Sequence, residues 1–107
     1  MLFRSTFAYL TYSQRFSDRN SRVMRGWAES AGLKLSEDHN RIEEWRLAGS
    51  GGGLVSSGAG GPLTGYRVDV AVVDDPFKDY ADAASEAVRD ERWDWFTYVV
   101  KIGRAHV

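Results

Sequence analysis

Four apolar residues followed by two carboxylates, Val70-Ala71-Val72-Val73-Asp74-Asp75, form the segment of this sequence best suited to chemistry. A buried strand fixes its own backbone, and open α/β sheets bind ligands beyond the C-terminal ends of their strands. Carboxylates placed there suit magnesium, which keeps several waters and takes one or two protein oxygens beside substrate phosphates. In this form, that of a Walker B element, Asp74 is the metal-holding carboxylate and Asp75 the catalytic one that orients the attacking water. The alternative reading of Asp74-Asp75-Pro76 is a solvated turn that ends a strand.

The phosphate side of such chemistry is missing. No Gly-x-x-x-x-Gly-Lys-Ser/Thr occurs in the sequence, so the usual backbone cradle and its lysine are not encoded. Gly51 to Gly53 and Gly58 to Gly61 lack a following Lys-Ser/Thr and read as hairpin and turn glycines. Arg19, Arg22 and Arg25 recur at every third position, a spacing that lays a basic stripe along a helix. That stripe suits contact with DNA or with a neighbouring subunit's nucleotide; a solvated face balanced by Asp18 and Glu29 is the alternative. Lys78 lies just past the carboxylates, where a phosphate contact and a plain surface lysine are both open. His39 has no companion at metal-ligand spacing, and there is no cysteine, so no transition-metal site, thiolate nucleophile or disulfide is expected.

The elements that must position these groups follow from patterning. Phe7 to Tyr12 is short, aromatic and β-prone, and reads as a buried strand. Ser17 is placed to cap a helix running to about Ala31, with Val23, Trp27 and Ala31 as its apolar face and Gly32 as its stop. Arg41 to Leu47 and Leu54 to Ser57 flank a glycine-rich turn, predicting a hairpin. Val68 to Val73 is nearly all apolar, which predicts a central parallel strand covered on both faces, beside and parallel to Phe7 to Tyr12. Asp82 to Val100 turns helical, with Ala84, Ala87, Val88, Glu91, Trp95 and Val99 near one face. Trp95 and Phe96 are expected in the core and Trp93 against a partner or a missing segment.

At 107 residues the chain has room for one small core, and 43% hydrophobic content with four Trp, five Tyr and five Phe argues for a folded protein. A net charge of -1 gives no overall basic field toward nucleic acid. No apolar stretch approaches the roughly 20 residues needed to span a bilayer, and the first residues lack the pattern of a signal peptide. A soluble, intracellular protein with no membrane partner is the expectation.

The run Gly60-Gly61-Pro62-Leu63-Thr64-Gly65-Tyr66-Arg67-Val68-Asp69, the strand to Asp75, and then Pro76-Phe77-Lys78 together resemble the large subunits of phage terminases. The likeness continues through Ala84-Ser85, Arg89-Asp90 and Trp93-Asp94-Trp95-Phe96. Upstream, Tyr12-Ser13 with Ser17, Ser21, Arg22 and Arg25 resembles the strand and helix that follow the family's nucleotide loop. The resemblance implies an α/β fold: part of a RecA-like P-loop NTPase domain, three-layered, with a mainly parallel sheet and a glycine-rich β-hairpin. It also implies a Mg²⁺-dependent ATPase coupled to a nuclease, with Mg²⁺ and ATP as cofactors. Its implied partners are double-stranded DNA, the portal and the small terminase subunit, in a homo-oligomer working in the cytoplasm of an infected bacterial host. By position Asp74 falls on the Mg²⁺ carboxylate and Asp75 on the catalytic one, where many related ATPases carry glutamate.

Lys101 to Val107 stand outside this pattern and resemble the translation of a common sequencing adapter. The expectation is therefore a partial ATPase domain over residues 1–100, inactive alone, with a non-native tail over 101–107 and native sequence continuing past about Val100. Two alternatives remain at this stage: a fragment of another Walker-type ATPase such as a helicase, and a small non-catalytic α+β binding protein.

Overall fold

The computed structural model describes residues 5–61 and 68–105. The elements run β1 (Thr6–Thr11), α1 (Gln14–Ser30), β2 (Leu35–Asn40), β3 (Glu44–Leu47), β4 (Gly53–Gly58), β5 (Val70–Val73), α2 (Tyr80–Ala84) and α3 (Glu86–Ala105). The five strands make one sheet in the order β2-β3-β4-β1-β5. β1 is parallel to both neighbours, β4 and β5, while β2, β3 and β4 meander antiparallel. The fold is α/β with a mixed sheet, which corrects the expectation of a mainly parallel one.

β1 alternates across the sheet as a strand must. Ala8 and Leu10 join Val55 on one face, where Val68, Trp95 and Phe96 pack against them. Tyr9 joins Trp45 and Leu54 on the other, where Met24 and Ala28 of α1 pack. Helices thus cover both faces of β1, giving three layers; Trp95 and Phe96, expected in the core, are half-buried and pack against it. The hairpin from β3 to β4 pairs Glu44 with Val55 and Trp45 with Leu54, and positive φ at Gly49 and Gly51 turns the chain between them.

α1 departs from its expected face. Its cap is Ser13, not Ser17: Ser13 Oγ accepts the Phe16 amide at 3.1 Å from an extended backbone. Ser17 lies inside the helix and is fully buried, donating to the Ser57 carbonyl at 2.8 Å and sharing a 2.8 Å bond with Thr11 Oγ1. Ser21 is also fully buried, donating to the Ile42 carbonyl and accepting Trp45 Nε1. Small hydroxyls let the helix approach the sheet closely while every polar atom finds a partner. Val23 and Trp27, the supposed apolar face, point to solvent, with Trp27 68% exposed. Gly32, at φ 88, ends the helix as expected.

β5 also differs. It is parallel to β1, in the register Phe7↔Val70 to Leu10↔Val73, but it lies at the sheet edge. Val70, Val72 and Val73 are 40–44% exposed. Continuous valine specifies a strand that tolerates cover on both faces; it does not specify that a neighbour is present. β2 is polar and at the opposite edge, and its composition carried no strand signal. The expected helix over Asp82 to Val100 is two helices broken at Ser85, whose backbone is extended and whose Oγ accepts the Val88 amide. The helical backbone of α3 continues through Lys101 to Ala105. Among the described residues no helix is long and apolar enough to cross a membrane.

Candidate carboxylate site at the end of strand β5

The parallel ladder between β1 and β5 runs past the last paired residues. Asp74 N donates to the Leu10 carbonyl at 2.8 Å, and Tyr12 N donates to the Asp75 carbonyl at 3.2 Å. Both carboxylates are therefore anchored at the C-terminal end of β1, the sheet end where ligands bind in open α/β folds. At the opposite end Asp69 pins the start of β5 to β1: its carboxylate accepts the Thr6 amide and its own amide donates to the Thr6 carbonyl.

Asp74 is held from below by a tyrosine that sequence reading placed only in the core. Tyr9 Oη donates to Asp74 Oδ2 at 2.5 Å, and Asn20 Nδ2 of α1 donates to the same phenol oxygen at 2.8 Å. A phenol has one proton, so the bond accepted from Asn20 directs that proton to Asp74. Burial raises the Tyr9 pKa above its ordinary value, followed by the bond to Asp74; Asn20 acts in the opposite direction, and the charges of Asp74 and Asp75 add to the rise. Tyr9 is 65 residues from Asp74, and only the β1–β5 register could have revealed the pairing.

Asp75 carries a positive φ of 52°, among the described residues a conformation otherwise found only at glycine. Aspartate tolerates the left-handed region better than most residues, yet it holds there at a cost. Pro76 then leaves the sheet with its carbonyl bonded to Arg92 Nε of α3 at 3.1 Å.

The glycine segment after β4 abuts the same sheet end. Gly58 N donates to Gln14 Oε1 at 3.1 Å, and a Cβ at Gly58 would collide with the Gln14 backbone. Gly61 N closes a turn onto the Gly58 carbonyl, and Gly60 has φ 81. Those two amides are already used, as suits turn glycines. Pro62 to Arg67, central to the family resemblance, lie outside the described residues.

The basic stripe is re-cut by the helix. Arg25 donates to Asn40 Oδ1 and leaves the set. Arg15, Arg19 and Arg22, at helical spacing, line an open cleft of about 820 Å³ with Tyr12, Ser13, Phe16 and Asp18. Arg19 stacks 5.1 Å from the Phe16 ring centre, and Phe16 meets Tyr12 edge-on at 5.5 Å. Tyr12 connects this cleft to the carboxylates through its amide bond to Asp75. Arg15 was missed because spacing by three selects 19, 22 and 25, whereas a helix face follows steps of four and three.

No protein-family model, curated protein or solved structure matches this chain. The donor set alone characterises the site. Among the described residues no three His, Cys, Asp or Glu side chains converge in a way that could cage a metal ion. Asp74 has Oδ2 engaged by Tyr9, and Asp75 follows it in the chain. That set fits magnesium bound sparsely beside phosphates and does not fit an all-protein cage.

Proposed function

We propose that this chain is part of the ATP-hydrolysing large subunit of a phage terminase, a RecA-like domain segment that supplies the carboxylate strand of a DNA-packaging motor. The observation that carries the proposal is the pair Asp74 and Asp75 at the C-terminal end of a parallel strand, with Asp74 oriented by a buried tyrosine. In this reading Asp74 would hold Mg²⁺, and Asp75 would orient the water that attacks the terminal phosphate. Bound Mg²⁺ would supply charge neutralisation at the nucleotide phosphates. No Gly-x-x-x-x-Gly-Lys-Ser/Thr occurs in these 107 residues, so in this reading they do not hydrolyse ATP alone.

The cleft lined by Arg15, Arg19 and Arg22 supports a DNA-facing role for α1, since guanidinium groups suit phosphate oxygens. Double-stranded DNA, the portal, the small terminase subunit and a homo-oligomer in the bacterial host cytoplasm enter through the family resemblance alone.

The test uses the complete polypeptide. Asp74→Asn should abolish Mg²⁺-dependent hydrolysis and weaken Mg²⁺-nucleotide binding, because the anchoring charge is gone. Asp75→Asn should keep nucleotide affinity and lose phosphate release. Normal turnover in Asp74→Asn would end the assignment. One observation favours a second reading. β5 lies at the sheet edge, where a small α/β binding protein without catalysis could equally end a strand. That protein would be indifferent to both nucleotide and Mg²⁺.

A further inference from the structure

Tyr9 is 7% exposed and sits among Trp45 and Leu54, a place where phenylalanine would serve packing equally well. Its hydroxyl nevertheless emerges at the carboxylate end of the sheet and meets Asp74 at 2.5 Å. Asn20 reaches from α1 to the same oxygen at 2.8 Å. The three residues lie on three separate elements or their ends, and the chain Asn20 to Tyr9 to Asp74 has one consistent proton direction. Asp74 is itself exposed, so without this contact its carboxylate would sample several rotamers in water.

We propose that Tyr9, fixed by Asn20, is a positioning residue that holds the Asp74 carboxylate with Oδ2 occupied and Oδ1 turned outward for a divalent cation. The inference rests on the carboxylate reading above and adds residues to it. Carboxylates that bind metals are themselves commonly oriented by hydrogen bonds, and loss of such a partner weakens metal affinity by about 10- to 100-fold. Asp74 is open to solvent, so the lower end of that range applies. Because Asn20 lies between Arg19 and Ser21 on α1, the orientation of Asp74 is tied to the helix that carries the arginine cleft.

The experiment measures Mn²⁺ binding to the full 107-residue chain by electron paramagnetic resonance, for wild type, Tyr9→Phe, Asn20→Ala and Asp74→Asn. The Asp74 carboxyl carbon resonance is followed without metal as a second readout. Tyr9→Phe should weaken Mn²⁺ binding about tenfold and move the Asp74 resonance while leaving that of Asp75 in place. Asn20→Ala should change both in the same direction by less, and it decides the matter should Tyr9→Phe fail to fold by circular dichroism. A shifted resonance with unchanged Mn²⁺ affinity would overturn the positioning role and leave a purely structural contact. Unchanged values in both readouts would overturn the link altogether. If Asp74→Asn binds Mn²⁺ as well as wild type, the carboxylate reading fails, and the positioning role fails with it. Loss of binding in Asp74→Asn but not in Tyr9→Phe defeats the positioning role alone.

Discussion

The two ends of the sheet around β1 are built differently. Toward β4 and α1, every contact is close: fully buried serines bridge helix to sheet, and the described buried side-chain polar atoms all have partners. Toward β5 and α3, the strand shows its valines to solvent and Trp93 is 71% exposed. The first half is held by short polar bonds within a tight interface, the second by register with β1 and by a partial apolar cover from Trp95 and Phe96. The difference teaches that the candidate site borrows its rigidity from the finished half, through Leu10, Tyr9 and Tyr12, and little of it from its own strand.

The sharpest way to break that contrast is to cut one apolar side chain on each side of the β1–β5 ladder. Leu10 is fully buried and Val73, its register partner, is 44% exposed. Leu10→Ala should cost about 3 kcal/mol in chemical denaturation, and Val73→Ala well under half of that. Equal costs would mean that β5 is buried as deeply as β1. On α1 the same logic reverses hydrophobic intuition. Ser17→Ala removes the bond to the Ser57 carbonyl and should cost about 1–2 kcal/mol, whereas Val23→Ala on the solvent face should fall within about 0.5 kcal/mol of wild type.

Alkaline pH probes the link between the halves. The Tyr9 pKa is raised by burial first and by its bond to Asp74 next, so the folded state retains a proton that the unfolded chain has lost. The resulting stability is fully present below the ordinary tyrosine value of 10.0 and is lost as pH rises through the higher folded value. Tyr9→Phe should flatten that part of the stability profile above pH 10, measured by urea unfolding at a series of pH values; an unaltered profile would place the phenol in ordinary solvent. A small effect of opposite sign is expected at Asp75. Glycine takes its φ of 52° freely, so Asp75→Gly should leave stability unchanged or raise it by about 0.5–1 kcal/mol, even as the reading proposed here makes it inactive. A clear destabilisation would show that the side chain supports the turn.

Much of this architecture is legible in the residues. The Phe7 to Tyr12 strand, the hairpin around Gly49 to Gly52, the parallel pairing of Val70 to Val73 with the first strand, and the packing of Trp95 and Phe96 against the core all follow from local pattern. The failures share a cause. Buried serines on α1, polar β2 and the exposed valines of β5 are decided by which element lies next door, and side-chain polarity gives no account of neighbours. Asp74 and Asp75 stood out by type, but Tyr9 and Asn20 reached the site through register and helix placement. Arg25 left the basic set because Asn40, on a strand with no sequence signal, lies within its reach.

The open outer edge of β5 has one more consequence. Among the described residues no strand pairs with the outer side of Val70 to Val73, four consecutive residues of high β-propensity, the kind of segment that templates intermolecular pairing. Asp69 before it and Asp74 and Asp75 after it are placed as gatekeepers, charges that resist the stacking of like strands. The carboxylates assigned to chemistry therefore also keep this edge colloidally quiet. A double Asp74→Asn/Asp75→Asn variant strips two of those three charges at once and should self-associate more readily, so particle size has to be followed beside turnover.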